Sequence, residues 1–346
     1  MSLSASALPF DDIRNLVRQL PGPDIAAAAK AQAREAELTK PAGSLGRLEE
    51  ISGWLAAWQG RHPPMVLQPQ VAIFAANHGV AQRGVSAFPA SVTQQMVENF
   101  AAGGAAINQL CKVSGAGLKI FDLALDIPTP DICEAEAMSE ADCAATIAFG
   151  MEAVAAGGDL LCIGEMGIAN TTVAAAVCCA LFGGEAEDWV GKGTGVDDAG
   201  LARKAAAVRA AMQFHKGQLS DPLEILRRVG GREIAAMAGA IIAARVQRIP
   251  VLLDGFVVGA AAAVLHQLQP GALDHCLAAH VSAEAAHGRL LERIGKKPLL
   301  DLGMRLGEGS GAALAISIVR AAAVTHAGMA TFEQAGVSGP GRSNII

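Results

Sequence analysis

The residue best placed for chemistry is Glu308, which lies in a glycine-rich turn after an apolar segment. Residues 299–314 read LLDLGMRLGEGSGAAL, with glycines at 307, 309 and 311. Glycine tolerates positive φ angles and lets a ligand approach the backbone closely. A carboxylate presented in this way, with no cation directly beside it in sequence, suits a general base. A solvated glutamate in a helix-capping turn is the alternative that this segment alone leaves open.

A second turn of this kind follows a predicted strand. Residues 164–172 read GEMGIANTT and lead into an alanine-rich helix. Asn170, Thr171 and Thr172 would offer amide and hydroxyl donors to a phosphate held at the positive end of the helix dipole. Glu165 beside them is a candidate acid, base or hydroxyl acceptor. A well-capped helix without a ligand is the rival interpretation.

A third glycine-dense loop, WVGKGTGVDD, covers residues 189–198 and carries Lys192 and Thr194. It matches neither GxxxxGK[ST] nor GxGxxG, so the sequence supports neither a P-loop nor a dinucleotide fingerprint. Lys204 follows in a predicted helix that is rich in alanine and basic residues.

The loop at residues 77–89, NHGVAQRGVSAFP, follows another predicted strand. Open α/β sheets bind ligands just beyond the carboxyl ends of their strands. Ser86, Phe88 and Gln94 could line a pocket for a flat heterocycle, with phenylalanine as the stacking face and the other two as the polar edge. His78 could act as an acid or base, although a loop histidine more often makes a structural hydrogen bond.

The segment at residues 40–50, KPAGSLGRLEE, predicts a loop that leads into a helix. Ser44 is a candidate for the helix cap. Lys40 and Arg47 could face a bound anion, and a solvated basic face at the helix start is the alternative.

Three histidines, His275, His280 and His287, are close in sequence to Glu284. Their spacing provides no HExxH pair. The sequence therefore predicts no metal site in this segment.

The cysteines indicate a reducing compartment. Seven are present, an odd count without a CxxC pair, and most have apolar neighbours, which is typical of small buried residues. Cys178 and Cys179 would point in different directions from a helix, so they do not predict a redox pair.

The amino terminus lacks the basic and apolar regions of a signal peptide, and we expect a cytoplasmic protein.

Composition is that of a large α/β protein. The 346 residues are 52% hydrophobic and 17% charged, which allows a sizeable core. A net charge of −6 without interleaved basic and aromatic residues argues against nucleic acid as a partner. Apolar runs such as residues 255–265 are too short for a membrane span.

Short apolar strands alternate with helices along the chain. The predicted strands lie at residues 70–76, 118–123, 159–163 and 251–253, and most end in a glycine-rich polar loop. This predicts an α/β fold with a mostly parallel, Rossmann-like sheet flanked by helices. We assign residues 1–69 to a smaller helical domain, joined by the C-terminal helix. The α/β nucleotide- and base-binding domain takes residues 70–346.

Eight motifs in this order resemble the family of nicotinate-nucleotide–dimethylbenzimidazole phosphoribosyltransferases, enzymes of cobalamin nucleotide-loop assembly. They are KPAGSLGRLE, NHGV…GVSAFP, GEMGIANTT, GKGTGVDD, GREIAAMAGA, PVLLDGF, HVSAEAAHG and LDLGMRLGEGSGAALA. The likeness spans residues 40–337. One departure is Ala169, where the family pattern has glycine; we expect the methyl group to restrict the turn slightly and to be tolerated.

The resemblance implies transfer of the 5-phosphoribosyl group of nicotinate mononucleotide to 5,6-dimethylbenzimidazole, with inversion at the anomeric carbon. It implies that Glu308 takes the acceptor proton and that Glu165 lies close to the reacting groups. Ser86 and Gln94 match positions that line the acceptor pocket, whereas Asp254 and Glu284 match motif positions without an assigned role. The implied nucleotide and phosphate positions are Gly167, Asn170, Thr171, Gly193, Thr194, Gly195 and Lys204.

No cofactor or metal is implied, because the cationic pyridinium of the substrate already activates the leaving group. The family implies a homodimer. Two other functions stay open at this point: transfer to another acceptor, such as adenine or a phenol, and nucleotide binding without catalysis. Two carboxylates in glycine turns argue against the second, since a binding protein needs no such pair.

Overall fold

The computed structural model describes residues 9–155, 157–193 and 195–339. Six parallel strands form one sheet, which confirms the predicted fold class. They are β1 Pro69–Ala75, β2 Gly117–Asp122, β3 Leu160–Met166, β4 Val251–Leu253, β5 Cys276–His280 and β6 Pro298–Leu300. Their spatial order is β2-β1-β3-β4-β5-β6.

Helices cover both faces of this sheet. They are α1 Pro9–Arg18, α2 Ile25–Glu37, α3 Arg47–Gln59, α4 Ser91–Ala102, α5 Ala106–Ser114, α6 Glu140–Met151, α7 Asn170–Phe182, α8 Asp198–Phe214, α9 Pro222–Val229, α10 Arg232–Val246, α11 Phe256–Leu268, α12 Ala285–Arg293, α13 Ser310–Gly328 and α14 Phe332–Ala335. Successive residues of a strand point to opposite faces. In β1, Ala72 and Phe74 accordingly join the core under α6, α7, α10 and α11, whereas Val71 and Ile73 join the core under α3, α5 and α13.

Two strands were not predicted. β5 lies within the histidine-containing segment, and β6 lies within the apolar segment that precedes the Glu308 turn. Strand β3 also continues to Met166, so Glu165 lies on the strand and not in the loop after it.

The amino-terminal helices pack on opposite faces of the sheet. α1 lies against α6, where Glu140 accepts a hydrogen bond from the backbone N–H of Phe10 at 3.1 Å. α2 and α3 lie beside α13, and Arg34 donates to the carbonyl oxygen of His326 near the end of α13. Buried residues of α3 share a core with β1. The domain division at residue 69 and the homodimer stay predictions.

The loop before α3 differs from the prediction. No side chain caps α3, which begins at Arg47, so Ser44 is not its cap. Lys40 pairs with Glu49 at 2.7 Å, and Arg47 donates to the carbonyl oxygen of Pro298. Both cations therefore join parts of the protein to each other, and the prediction that they face an anion is wrong.

All seven cysteines are buried and unpaired, as predicted. Burial raises the pKa of the Cys111 thiol to about 11 and that of Cys276 to about 12. The adjacent thiols of Cys178 and Cys179 also have raised pKa values because of burial. These thiols stay protonated near neutral pH, which disfavours their oxidation.

α13 is the one described helix whose length and composition would allow it to cross a membrane. It has 19 residues and a mean hydropathy of 1.3, and half of it is buried inside the fold. The buried side chains of α13 form part of the core on one face of the sheet. A core helix meets the same criteria of length and composition, and the packing of α13 identifies it as one.

The backbones of α6 and α10 touch where they cross. A Cβ atom added to Gly239 would lie 1.9 Å from the carbonyl oxygen of Ile147, and one added to Gly150 would lie 1.9 Å from that of Ala236. Only hydrogen fits at either position. The small residues of this sequence thus permit close contact between helices.

We expect Gly239→Ala to lower the free energy of unfolding by about 1–3 kcal/mol, because the methyl group would force the two helices apart. Urea unfolding measures this change. The matched control is Gly288→Ala in α12, where a Cβ meets nothing within 4 Å. That substitution should raise stability by about 1 kcal/mol through helix propensity. Equal stability of the two variants would contradict a tight contact at Gly239.

Candidate active site

A cleft opens at the carboxyl edge of the sheet, with an empty volume of about 620 Å³. The cleft is lined by residues 165–168, 170, 171, 193, 255–257, 280, 282, 284 and 305–308. An adjoining cavity of about 280 Å³ shares Gly167, Ile168, Asn170 and Thr171 with it. Glu308, Glu165 and the predicted phosphate turn therefore meet at one site.

Glu308 reaches the cleft from a turn in the left-handed conformation. The φ angles of Gly307, Glu308 and Gly309 are 82°, 59° and 71°. For a residue with a side chain this conformation costs about 1 kcal/mol or more, and such strain concentrates at functional sites. Burial, reinforced by the nearby Asp254 carboxylate, raises the pKa of Glu308 to about 7. A carboxylate with this pKa can accept a proton near neutral pH.

Asp254 holds this turn in place. Its Oδ2 accepts a hydrogen bond from the backbone N–H of Gly309 at 3.1 Å, and its Oδ1 accepts one from Ala312 at 3.0 Å. These bonds cap the N-terminus of α13. Gly164 of β3 lies directly against the turn, since a Cβ there would be 2.3 Å from the nitrogen of Gly309. Asp254, which had no predicted role, thus positions Glu308.

Glu165 is half-buried at the end of β3, next to the same turn. A Cβ on Gly307 would lie 2.4 Å from Glu165 Oε1, so the glycine makes room for the carboxylate. Asn170 donates a hydrogen bond to Glu165 Oε2. Burial raises the pKa of Glu165 to about 8; the bond from Asn170 opposes this shift, and the charges of Asp254 and Glu308 add to it.

The start of α7 lies beside the cleft, and the backbone N–H of Asn170 donates to the carbonyl oxygen of Gly167. The helix begins at Asn170 without a side-chain cap, and the preceding Ala169 has a φ of 76°. This left-handed conformation favours glycine and explains why the family pattern has glycine there. The fold accommodates the methyl group of Ala169, which is buried.

Lys204 lies beneath the predicted phosphate loops. It is 1% exposed, and its Nζ donates to Thr171 Oγ1 at 2.8 Å and to the carbonyl oxygen of Gly191 at 2.7 Å. Burial lowers the pKa of Lys204 to about 8, and Glu284 opposes this shift. The ammonium group joins the start of α7 to the glycine loop and lines the adjoining cavity.

The glycine loop is fixed from two sides. Glu284 accepts a hydrogen bond from the backbone N–H of Gly193 at 3.0 Å, and Arg305 donates to the carbonyl oxygen of Gly193 at 2.7 Å. Gly195 lies farther out, beside a surface cavity. Thr194 lies outside the described residues.

The three predicted acceptor residues do not line the cleft. Ser86 lines the adjoining cavity, next to the start of α7. Phe88 is 49% exposed, and exposed Gln94 donates to Glu98 at 3.0 Å. The structure thus brings Ser86 close to the phosphate turn and leaves Phe88 and Gln94 at the surface.

His78 is buried behind the phosphate turn and pairs with Glu233 at 2.8 Å. A Cβ on Gly167 would lie 3.3 Å from His78 Nε2. His78 does not line the cleft, so its contacts are those of a structural residue.

Three polar cleft residues, His280, Ser282 and Arg305, were not predicted to contact a ligand. His280 ends β5, and recognition of that strand would have placed it at the carboxyl edge of the sheet. Arg305 lies three residues before Glu308, close enough to be included in the same motif.

The other two histidines of this segment are buried. Burial lowers the pKa of His275 and that of His287 to about 3. His287 Nδ1 accepts a hydrogen bond from the backbone N–H of Ser282. Within residues 9–155, 157–193 and 195–339, no group of three or more histidine, cysteine or acidic residues is arranged to hold a metal ion.

Known proteins resemble this chain in both sequence and fold. A family model described as phosphoribosyltransferase matches residues 20–337. Proteins of Brucella anthropi and Rhizobium etli, both named nicotinate-nucleotide–dimethylbenzimidazole phosphoribosyltransferase, are 66% and 67% identical over 337 residues. Each match covers 97% of this chain and 99% of the relative. A crystal structure from Thermus thermophilus, given the same activity in its name, has a TM-score of 0.85 at 40% identity, covering 92% of this chain and 100% of that chain.

The raised pKa of Glu308 predicts a pH-dependent effect of Glu308→Gln on stability. The folded protein favours the protonated carboxyl, so the wild type loses stability as pH rises from about 4.5, the usual value, through about 7. Above this window the penalty is about 3 kcal/mol. Urea unfolding should therefore show the variant gaining stability relative to the wild type between pH 5 and pH 9. A constant difference across this range would contradict the shift.

Proposed function

Because this chain belongs to the phosphoribosyltransferase family, we propose that it transfers the 5-phosphoribosyl group of nicotinate mononucleotide to 5,6-dimethylbenzimidazole. The products are α-ribazole 5′-phosphate and nicotinate, in the lower-ligand branch of cobalamin biosynthesis. The names of the relatives from Brucella anthropi and Rhizobium etli support this assignment. The observation that carries it is Glu308, a buried carboxylate with a pKa of about 7 in a cleft beside a helix N-terminus.

The reaction needs one proton acceptor. A ring nitrogen of the benzimidazole attacks C1′ of the ribose, and the bond from C1′ to the pyridinium nitrogen breaks. The electron pair of that bond stays on nicotinate and neutralises the positive charge of its ring. The benzimidazole becomes cationic as the new bond forms, and Glu308 takes the proton from its second nitrogen. The enzyme would also raise the reaction rate by aligning the nicotinate and benzimidazole rings on opposite sides of one ribose.

Glu165 has a complementary role in this proposal. Its pKa of about 8 keeps it mostly protonated near pH 7, whereas Glu308 is about half ionised there. Two carboxyl groups with separated pKa values can divide the roles of donor and acceptor. Glu165 would donate a hydrogen bond to a substrate oxygen next to the reacting carbon.

The phosphate of the mononucleotide would bind at the start of α7. Gly167, Asn170 and Thr171 line the cavity there, at the positive end of the helix dipole. Lys204 supplies a buried cation bonded to Thr171. The loop that contains Gly193 and Gly195 would bind the nucleotide, as the family resemblance implies for these positions and for Thr194.

Glu308→Gln should lower turnover by about 10²–10⁴-fold, since the amide cannot accept the proton. Binding of nicotinate mononucleotide should change little, because the amide keeps the shape of the side chain. Nicotinate release in the presence of dimethylbenzimidazole measures turnover, and calorimetry measures binding. Glu333→Gln, an exposed change in α14, is the matched control. Near-normal turnover of Glu308→Gln would exclude the base role, and release without the acceptor would indicate a hydrolase.

Ser86→Ala and Gln94→Ala should raise the KM for the acceptor more than the KM for the mononucleotide. The reason is that Ser86 and Gln94 match the acceptor positions of the family. Initial rates with each substrate varied in turn measure both constants. A larger effect on the mononucleotide would show that Ser86, beside the start of α7, serves the phosphate instead.

A further inference from the structure

We infer that the N-terminus of α11 and the side chain of His280 form a second anion site in the cleft, which selects the carboxylate on the pyridine ring of the mononucleotide. This inference rests on the proposed function and identifies which part of the substrate this end of the cleft binds. It makes His280 a residue that determines specificity for an acid over an amide.

The start of α11 offers unused donors. The helix begins at Phe256 after Gly255, and no side chain caps it. The first amides of an α-helix have no partner within the helix, and the helix dipole adds a partial positive charge. Gly255, Phe256 and Val257 all line the cleft. The start of α13 faces the same cleft, but Asp254 already occupies it.

The His280 side chain is the independent observation that indicates a ligand. His280 is 2% exposed and lines the cleft, and neither of its ring nitrogens has a hydrogen-bond partner in the described structure. A buried polar atom without a partner is costly unless a ligand or water supplies one. A Cβ on Gly255 would lie 3.8 Å from His280 Nε2, so the ring adjoins the start of α11.

The ring of His280 is fixed by its surroundings. Gly311 lies against it, since a Cβ there would be 2.2 Å from His280 Cδ2. His287 packs edge-on with the ring centroids 6.1 Å apart, and Asp254 Oδ1 lies 3.4 Å from His280 Nε2. Ser282 Oγ, also in the cleft, accepts a bond from the N–H of Glu284 and keeps its own proton to donate. The His280 ring and the Ser282 hydroxyl group can therefore donate hydrogen bonds to a ligand in the cleft.

The chemistry of the substrate identifies the anion. Nicotinate mononucleotide carries two anionic groups, and the proposed function assigns the phosphate to the start of α7 beside Lys204. The ring carboxylate is the remaining anion, and the start of α11 is the remaining helix end without a side-chain cap at the cleft. A carboxylate accepts bonds from every donor there and gains from the helix dipole. A carboxamide would turn its own NH₂ donors toward some of them and gain less.

The test compares nicotinate mononucleotide with nicotinamide mononucleotide as donors. His280→Ala should lower the ratio of their kcat/KM values by about 10–100-fold, mainly through a higher KM for the acid, because a hydrogen bond to a charged group is lost. His280→Asn, which keeps a donor, should restore part of the ratio. Lys204→Met on the phosphate side should lower both kcat/KM values by the same factor and leave the ratio unchanged.

Equal losses of kcat/KM for both mononucleotides in His280→Ala would overturn the inference, since a structural role or a phosphate contact has that effect. Calorimetry with free nicotinate and free nicotinamide separates this failure from failure of the proposed function. The wild type should bind nicotinate more tightly than nicotinamide, and His280→Ala should lose that preference even if no phosphoribosyl transfer is detected. Equal binding of the two by the wild type would exclude a carboxylate site even if transfer is observed.

Discussion

The hydrogen bonds from the backbone N–H groups of Gly309 and Ala312 to Asp254 hold the site together. They join the end of β4 to the start of α13 and keep Glu308 in a strained left-handed conformation. The same carboxylate helps to raise the pKa of Glu308, because a second negative charge nearby is unfavourable. One buried acid therefore sets both the position and the proton affinity of the proposed base.

Glycine permits the convergence of these elements. Gly164 lets the Glu308 turn lie directly on β3, Gly307 makes room for the Glu165 carboxylate, and Gly311 makes room for the ring of His280. At each position a Cβ would overlap a neighbouring atom. The abundant small residues of the chain thus allow backbone segments to pack closely, both at the site and where α6 crosses α10.

The charges around the cleft match substrates that carry both signs. Among the residues that the structure describes, three glutamates, Glu165, Glu284 and Glu308, line it, and Arg305 is the one lysine or arginine there. Much of the positive potential therefore comes from helix N-termini, of which those of α7 and α11 have no side-chain cap. In the proposed reaction, helix ends would bind anionic groups without placing a mobile cation beside the reacting carbon, where it would oppose the positive charge that develops on the acceptor ring.

The sequence by itself determined the parallel sheet, the four strands β1–β4 to within a few residues, and the glycine turn that carries Glu308. These are local patterns, in which apolar runs and positive-φ turns are specified by neighbouring residues. Only the tertiary structure decided that Asp254 caps α13, that Lys40 pairs with Glu49, and that His280 faces the cleft. Such contacts join residues far apart in the chain, and no local pattern encodes which partner a buried polar group will meet.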